Sequence, residues 1–278
     1  MTEKTHNAPL AEELHFARAL VREAAALLRE YYTRGVRRIG RKSSAVDLVT
    51  EADVASENLL LRRLRARFPQ DAVLGEETGS HGTGQRRWIF DPLDGTTNFA
   101  HRLPIFGVSL ALVKGDAVLL GVTCDVVHRR LYWAVRGQGA WTQSDEEDEP
   151  RPLQVSAVTD LQSALLATGF PYDKATSPDN NVREFAAFLV RAQGIRRAGA
   201  ATVDMAWLAD GRLDGYWEQK LNPWDWAAGV LLVTEAGGVV TDYHGRPWTP
   251  GSPNVVASNG HLHHAMLAVI REVRGDDE

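Results

Sequence analysis

Five acidic residues stand where acids are expensive to keep. Glu76 and Glu77 follow the apolar run AVL in the segment GEET, Asp91 and Asp94 follow the run WIF in WIFDPLDGTTNF, and Asp225 opens a helical pattern in NPWDWAAG. A carboxylate at the end of an apolar strand loses hydration, and like charges gathered together push one another toward protonation. A hard divalent cation relieves both costs, because Mg²⁺ takes oxygen ligands at about 2.1 Å in an octahedral shell and keeps several waters. Pro92 fixes a backbone angle between the two aspartates and predicts a tight turn, which lets the Leu93 carbonyl line one cavity with both carboxylates. Gly95, Thr96 and Thr97 then open a predicted helix whose free N–H groups and positive dipole end favour an anion. A cation site beside an anion site is what phosphoryl chemistry requires. Taken alone, D-P-x-D-G is also an ordinary capped surface turn. With GEE before it and WD after it, the chemical reading prevails.

Strands and helices must bring these segments together. Leu14, Ala17, Val21, Ala24, Leu28 and Tyr31 recur at steps of three and four, which predicts a long first helix stopped by Gly35. Thr50-x-x-Asp53 has the form of a capping box for a second helix with an apolar face of Val54, Leu61, Leu64 and Phe68, ended by Pro69. Short β-like runs follow at 72–74, 88–90, 105–113 and 131–135, and KGD at 114–116 marks a hairpin into AVLLGVTCDVV. The charged, proline-bearing stretch at 143–152 divides the chain into two lobes, about 1–150 with the metal and phosphate motifs and 151–278 with the substrate side and Asp225. In the second lobe, strands (ALLAT, YWE, GVVTD, NVVAS) alternate with helical patterns at 182–193, 200–211, 224–236 and 260–274. Hairpins first and alternation later point to a layered mixed α/β (α+β) fold. Because the acids come from both lobes, the chain reads as a single unit.

Composition narrows the function classes. A chain of 278 residues with 44% hydrophobic and 24% charged residues is not a disordered one. The net charge of −5 is concentrated in the acidic runs 145–149 and 276–278, so no nucleic-acid-binding charge pattern is present and nucleic acid is not an expected partner. The basic run Arg37–Lys42 reads as a solvated loop. The single cysteine, Cys124, excludes a disulfide scaffold or a cysteine zinc site and fits a reducing compartment. No stretch approaches the ~20 apolar residues of a membrane span, and the polar N-terminal segment does not read as a secretory signal, so a cytoplasmic protein is expected. His261, His263 and His264 lack an adjacent acidic partner and read as a helix start, and GQGA at 137–140 reads as a turn.

GEET, WIFDPLDGTTNF and NPWDWAAG together resemble the inositol monophosphatase family of metal-dependent, lithium-sensitive phosphatases. KSSAVDLVTEAD at 42–53, TGFPYD at 168–173 and EAGGVVTD at 235–242 are also similar to it, so the resemblance runs from about Leu14 to Ile270. It implies a layered αβαβα sandwich, a homodimer, and Mg²⁺-dependent hydrolysis of a sugar or polyol phosphate monoester by a metal-activated water. Carried over by position, Glu76, Asp91 and the Leu93 carbonyl would hold a first metal, and Asp91, Asp94 and Asp225 a second, with a weaker third near Glu76. Asp53 and Thr96 match the pair that orients the attacking water together with Glu76. The Gly95 and Thr96 amides would hold the phosphate, and Gly199, Ala200, Ala201 and Glu218 fall where the family contacts inositol. Lys42 matches a mobile-loop lysine. The acidic segment at 145–149 departs from the family pattern away from these motifs. LNPWDWAAG and TGFPYD look closest to the inositol-1-monophosphatase type. The alternatives are fructose-1,6-bisphosphatase, NADP(H), histidinol-phosphate or phosphoadenosine phosphatases of the same superfamily, or a fold-retaining regulator of RNA machinery.

Overall fold

Apolar residues at steps of three and four carry the first helix, α1 (Ala11–Arg34), to the glycine that ends it. Ala17, Val21, Ala24 and Leu28 are fully enclosed, and Gly35, at φ +81°, donates its N–H to the Tyr31 carbonyl at 2.9 Å. The computed structural model describes residues 10–36, 39–41 and 48–275. A small antiparallel pair, β1 (Ile39–Arg41) and β2 (Leu48–Thr50), leads into α2 (Glu51–Arg67). The capping box is present: the Thr50 hydroxyl accepts the Ala52 N–H, and Asp53 accepts the Thr50 N–H at 2.8 Å.

The inward face of α2 differs from the expected one. Val54 is 48% exposed and Leu61 is half-buried, whereas Asp53, Ser56, Glu57, Leu60 and Leu64 are enclosed. Leu60 and Leu64 pack with α1, while the three polar residues face a neighbouring loop and strand end. Apolar periodicity therefore missed the half of the helix that serves polar contacts.

An eight-stranded sheet follows, in the order β10-β9-β8-β7-β6-β5-β3-β4. Its strands are β3 (Ala72–Gly75), β4 (Gly79–His81), β5 (Arg86–Asp94), β6 (Gly107–Lys114), β7 (Ala117–Asp125), β8 (Arg130–Val135), β9 (Ala140–Ser144) and β10 (Arg151–Pro152). The short helix α3 (Thr96–Ala100) interrupts this run, and β3 and β5 form its parallel pair. The acidic segment 145–149 links β9 to β10, with Glu147 paired to Arg130 at 2.7 Å. A second sheet, ordered β12-β11-β13-β15-β14, contains β11 (Leu165–Thr168), β12 (Gly194–Arg196), β13 (Gly215–Gln219), β14 (Val239–Thr241) and β15 (Asn254–Ser258). The helices among these strands are α4 (Val182–Leu189), α5 (Ala201–Ala209), α6 (Pro223–Glu235) and α7 (His263–Arg274).

Three apolar clusters define five layers. α1 and α2 cover one face of the large sheet through Val108, Leu110 and Leu112 of β6. On the same strand Ala111 and Val113 point the other way, into a core shared with α5, α6 and the inner face of the small sheet. α4 and α7 cover the outer face of the small sheet. Both faces of each sheet are thus buried, which is why these strands read as continuous apolar runs. This is the layered αβαβα sandwich expected of the sequence. His263 lies in the fold rather than at a metal: its ring nitrogens meet the Thr241 and Ser258 hydroxyls at 2.9 and 3.0 Å, and burial pushes it down to about 4.

Candidate metal and phosphate site

The site begins where β5 breaks register with β6. Asp91 pairs with Ser109 and Asp94 with Gly107, so three steps on β5 oppose two on β6 and one residue is in excess. Trp88, Phe90 and Leu93 all pack in the α1–α2 cluster, so side-chain parity inverts between Phe90 and Leu93. Without that inversion the two aspartates would point to opposite faces of the sheet. With it, both reach the side covered by α5 and α6. Pro92, which can donate no ladder bond, sits in the bulge. The expected tight turn is thus a bulged strand, with the same consequence for the carboxylates.

A donor aims each aspartate. Asp91 Oδ1 accepts the Leu93 N–H at 2.9 Å. Asp94 Oδ2 accepts both the N–H and the hydroxyl of Thr202, on α5, at 2.7 Å. Asp225, in the first turn of α6, accepts the Asn222 N–H at 2.7 Å. One ligand oxygen from each of the three lies within 4.8 Å of the others. Glu76, just past β3, lines the same cavity of about 100 Å³.

Electrostatics marks this cluster as incomplete without a cation. Burial, and then the charges of Glu76, Asp94 and Asp225, push the Asp91 carboxyl well above the usual range. Burial, and then Glu76 and Asp94, do the same to Asp225. Asp94 is pushed up to about 6 by burial, with the Thr202 bonds opposing. Among the described residues, the cationic side chains lining the cavity are Arg197 and Lys220, and Lys220 is paired with Asp173 at 2.8 Å. Clustered hard oxygen donors that repel one another fit a divalent cation such as Mg²⁺.

Beside the cluster, Gly95 adopts φ +89° and opens α3. A Cβ there would lie 3.0 Å from the Ile105 carbonyl oxygen and 3.2 Å from Ala200 Cβ, so only glycine fits where the two sheets' loops meet. The Thr96 hydroxyl stands 2.8 Å from Asp53 Oδ1 and 3.0 Å from the Leu93 carbonyl oxygen. Asp53 is itself fixed by the Thr50 N–H and hydroxyl at 2.8 and 2.6 Å.

At the cavity's other end stand Gly199, Ala200, Ala201, Asp204, Arg197 and Glu218. Glu218 is only 7% exposed and forms part of the wall. Tyr216 donates its hydroxyl to Glu218 Oε2, and burial raises the carboxyl to about 7 against the pull of Tyr216 and Arg197. The cavity thus gathers Glu76, Asp91, Leu93, Asp94, Gly95, Thr96, Gly199, Ala200, Ala201, Glu218 and Asp225, with Asp53 behind Thr96. Lys42 lies outside the described residues.

Several contributors were missed from sequence. Thr202, Arg197 and Asp204 belong to no motif. Glu57 had a signal, since it follows Asp53 by one helical turn on the same face. Its buried carboxylate accepts the Glu77 N–H, the Thr78 N–H and the Thr78 hydroxyl between 2.6 and 2.8 Å and so fixes the GEET loop behind Glu76. A larger groove of about 630 Å³ beside the end of α1, lined by Arg29, Glu30, Arg34 and Arg129, holds no carboxylate cluster among the described residues and lies apart from this chemistry.

Residues 10–274 match the profile of the Inositol monophosphatase family. An inositol-1-monophosphatase of Synechocystis sp. is 42% identical over 233 residues, covering 83% of this chain and 79% of that protein. The Nus factor SuhB of Escherichia coli is 37% identical over 266 residues, covering 95% and 97%. The solved inositol monophosphatase from Anabaena (Nostoc) sp. PCC 7120 superposes with a TM-score of 0.83 at 37% identity, covering 95% of this chain and 97% of that one.

Proposed function

This chain belongs to the inositol monophosphatase family, and from that premise we propose that it is a Mg²⁺-dependent phosphatase of polyol phosphate monoesters, with myo-inositol-1-phosphate as its substrate. The observation that carries the reading is the meeting of Asp91, Asp94 and Asp225 within 4.8 Å at one end of a cavity whose other end holds Glu218. Glu76, Asp91 and the Leu93 carbonyl would hold one cation, Asp91, Asp94 and Asp225 a second, and Glu76 would adjoin a weaker third. Bound there, the cations supply Lewis acidity and neutralise the charge that otherwise gathers in the cluster.

The chain's own groups do the rest. A hydroxyl donates one proton, and the Thr96 proton is directed at Asp53 or the Leu93 carbonyl. Its lone pairs therefore face the cavity as acceptors, which orients a water proton toward Thr96 and frees the water's lone pair for in-line attack on phosphorus, while the ester P–O bond opposite breaks and the polyol oxygen leaves, taking a proton from solvent. Asp53, held by Thr50, receives the proton that Thr96 passes on. The Gly95 and Thr96 N–H groups hold phosphate oxygens. Gly199, Ala200 and Ala201 leave room for the leaving group, and Glu218 accepts its hydroxyls. Lys42 would approach over the mouth. The working form is a cytoplasmic homodimer of single αβαβα units, each with its lobes at about 1–150 and 151–278, and Li⁺ inhibits it.

A panel of phosphate monoesters with Mg²⁺, repeated in EDTA, tests the reading. Fastest turnover of inositol-1-phosphate, lost in EDTA, is the expected result, and turnover indifferent to EDTA would sink it. A second reading, a regulatory role with RNA machinery, is favoured by the relative named Nus factor SuhB. The retained carboxylates place the phosphatase reading first.

A further inference from the structure

One acid in the cavity has no part in the roles above. Asp204 projects from α5 one turn beyond Ala200 and Ala201, and lines the cavity with Glu218 while only 2% exposed. Its Oδ1 is enclosed and has no hydrogen-bond partner among the described residues.

Four other buried acids of this chain each accept hydrogen bonds from two residues. Asp53 accepts from Thr50 and Thr96. Asp125 accepts from His128 and Trp207. Asp214 accepts from Ser156 and the Leu165 N–H. Asp242 accepts from His244 and Arg246. A buried carboxyl left without donors costs stability, and the native fold leaves few of them. Asp204 lines a cavity that a ligand can enter, so a ligand can supply the donor this carboxyl lacks.

The wall also says what that ligand offers. Tyr216 already occupies one oxygen of Glu218, so Glu218 and Asp204 together present remaining acceptors to the leaving-group end. Arg197 stands at the same wall and opposes a cationic group there. Burial, and then Glu218 and Asp94, hold the Asp204 carboxyl well above its usual range, which favours a neutral partner over an ammonium. A leaving group with two or more hydroxyls matches this pair.

We propose that Asp204 is a second specificity-determining residue, hydrogen-bonded to a leaving-group hydroxyl beside Glu218, so that the site reads two hydroxyls of a polyol. This rests on the polyol phosphatase reading above.

The test is steady-state kinetics of the full chain with Mg²⁺, comparing wild type, Asp204→Ala and Asp204→Asn. The substrates are myo-inositol-1-phosphate, p-nitrophenyl phosphate and phosphoethanolamine. For Asp204→Ala, the ratio of kcat/KM for inositol-1-phosphate to that for p-nitrophenyl phosphate should fall about tenfold, the scale of one hydrogen bond to a carboxyl, and the fall should lie in KM. Asp204→Asn keeps the shape and one acceptor, and should lose about threefold in the same ratio. It carries the test if alanine does not fold. The Tm of either variant should equal or exceed that of wild type, because an unsatisfied buried acid is removed. An unchanged ratio overturns the inference, as does a fall in kcat alone or a selective loss on phosphoethanolamine. A wild-type chain that cleaves p-nitrophenyl phosphate but no polyol phosphate overturns the substrate reading itself.

Discussion

At the end of the cavity proposed to hold phosphate, Asp91, Asp94 and Asp225 are each aimed by an N–H group, and Asp94 by a hydroxyl as well. At the end proposed for the leaving group, among the described residues, Glu218 accepts from Tyr216 alone and Asp204 leaves an enclosed oxygen without a donor. Both ends bury acids, but in different ways. The first end fixes orientation and leaves charge unresolved, which suits an ion. The second leaves hydrogen-bonding capacity unresolved, which suits a neutral, hydroxylated molecule. Pre-oriented acids that only a cation can neutralise belong to the chemical step, and unsatisfied acceptors belong to recognition.

Substitutions can break this contrast. The largest effect is expected at Asp91, the most enclosed acid of the cluster. Asp91→Asn should lower kcat by about 10³-fold or more, beyond what one electrostatic group usually carries, with an unchanged circular dichroism spectrum. Turnover near wild type would remove Asp91 from the metal site. Thr96→Ala comes next, with kcat down about 10²-fold or more and KM little moved, because a hydroxyl that orients water acts in the transition state. A raised KM at constant kcat would instead put Thr96 among the substrate contacts. At the other end the split should reverse. Glu218→Gln should raise KM for inositol-1-phosphate about tenfold while kcat stays close to wild type. A drop confined to kcat would erase the distinction between the two ends.

The smallest effect concerns pH. Asp94 titrates near 3.8 when unfolded and at about 6 in the folded, metal-free chain, so between these values the folded state holds a proton that the unfolded state has lost. The stability of the metal-free chain therefore falls as pH rises through that window. Mg²⁺ must displace the proton, so the rise in Tm that Mg²⁺ gives should grow between about pH 5 and pH 7, by a few degrees. A metal-induced shift that is flat across this range would place the cation away from Asp94.

Much of the candidate site could be read from the chain because the residues that line the cavity sit in motifs. Asp91, Asp94 and Gly95 follow one another in the chain, and Asp225 opens a helix whose Pro223 is itself a start signal. The layered fold followed from apolar runs bounded by turns. What escaped was whatever depends on three dimensions. The bulge that aligns Asp91 with Asp94 has no signature beyond Pro92. Thr202 acts on Asp94 from 108 positions away, and nothing nearby in the chain announces it. Val54 misled for a simple reason: apolar periodicity finds the face that packs on apolar neighbours, and half of α2 packs on polar ones.

The placement of α6 has a consequence for synthesis. This helix packs on β5, β6, β7 and β8 and closes the inner face of the large sheet. A ribosome completes that sheet, ending in β10 at Pro152, well before α6 emerges at Pro223. Meanwhile the nascent chain carries an uncovered apolar sheet face and an acidic nest lacking Asp225, the kind of half-made surface that sticks to other chains. Neither defect of the large sheet is repaired until the same helix docks, so one event both covers that apolar face and brings Asp225 to the acidic nest.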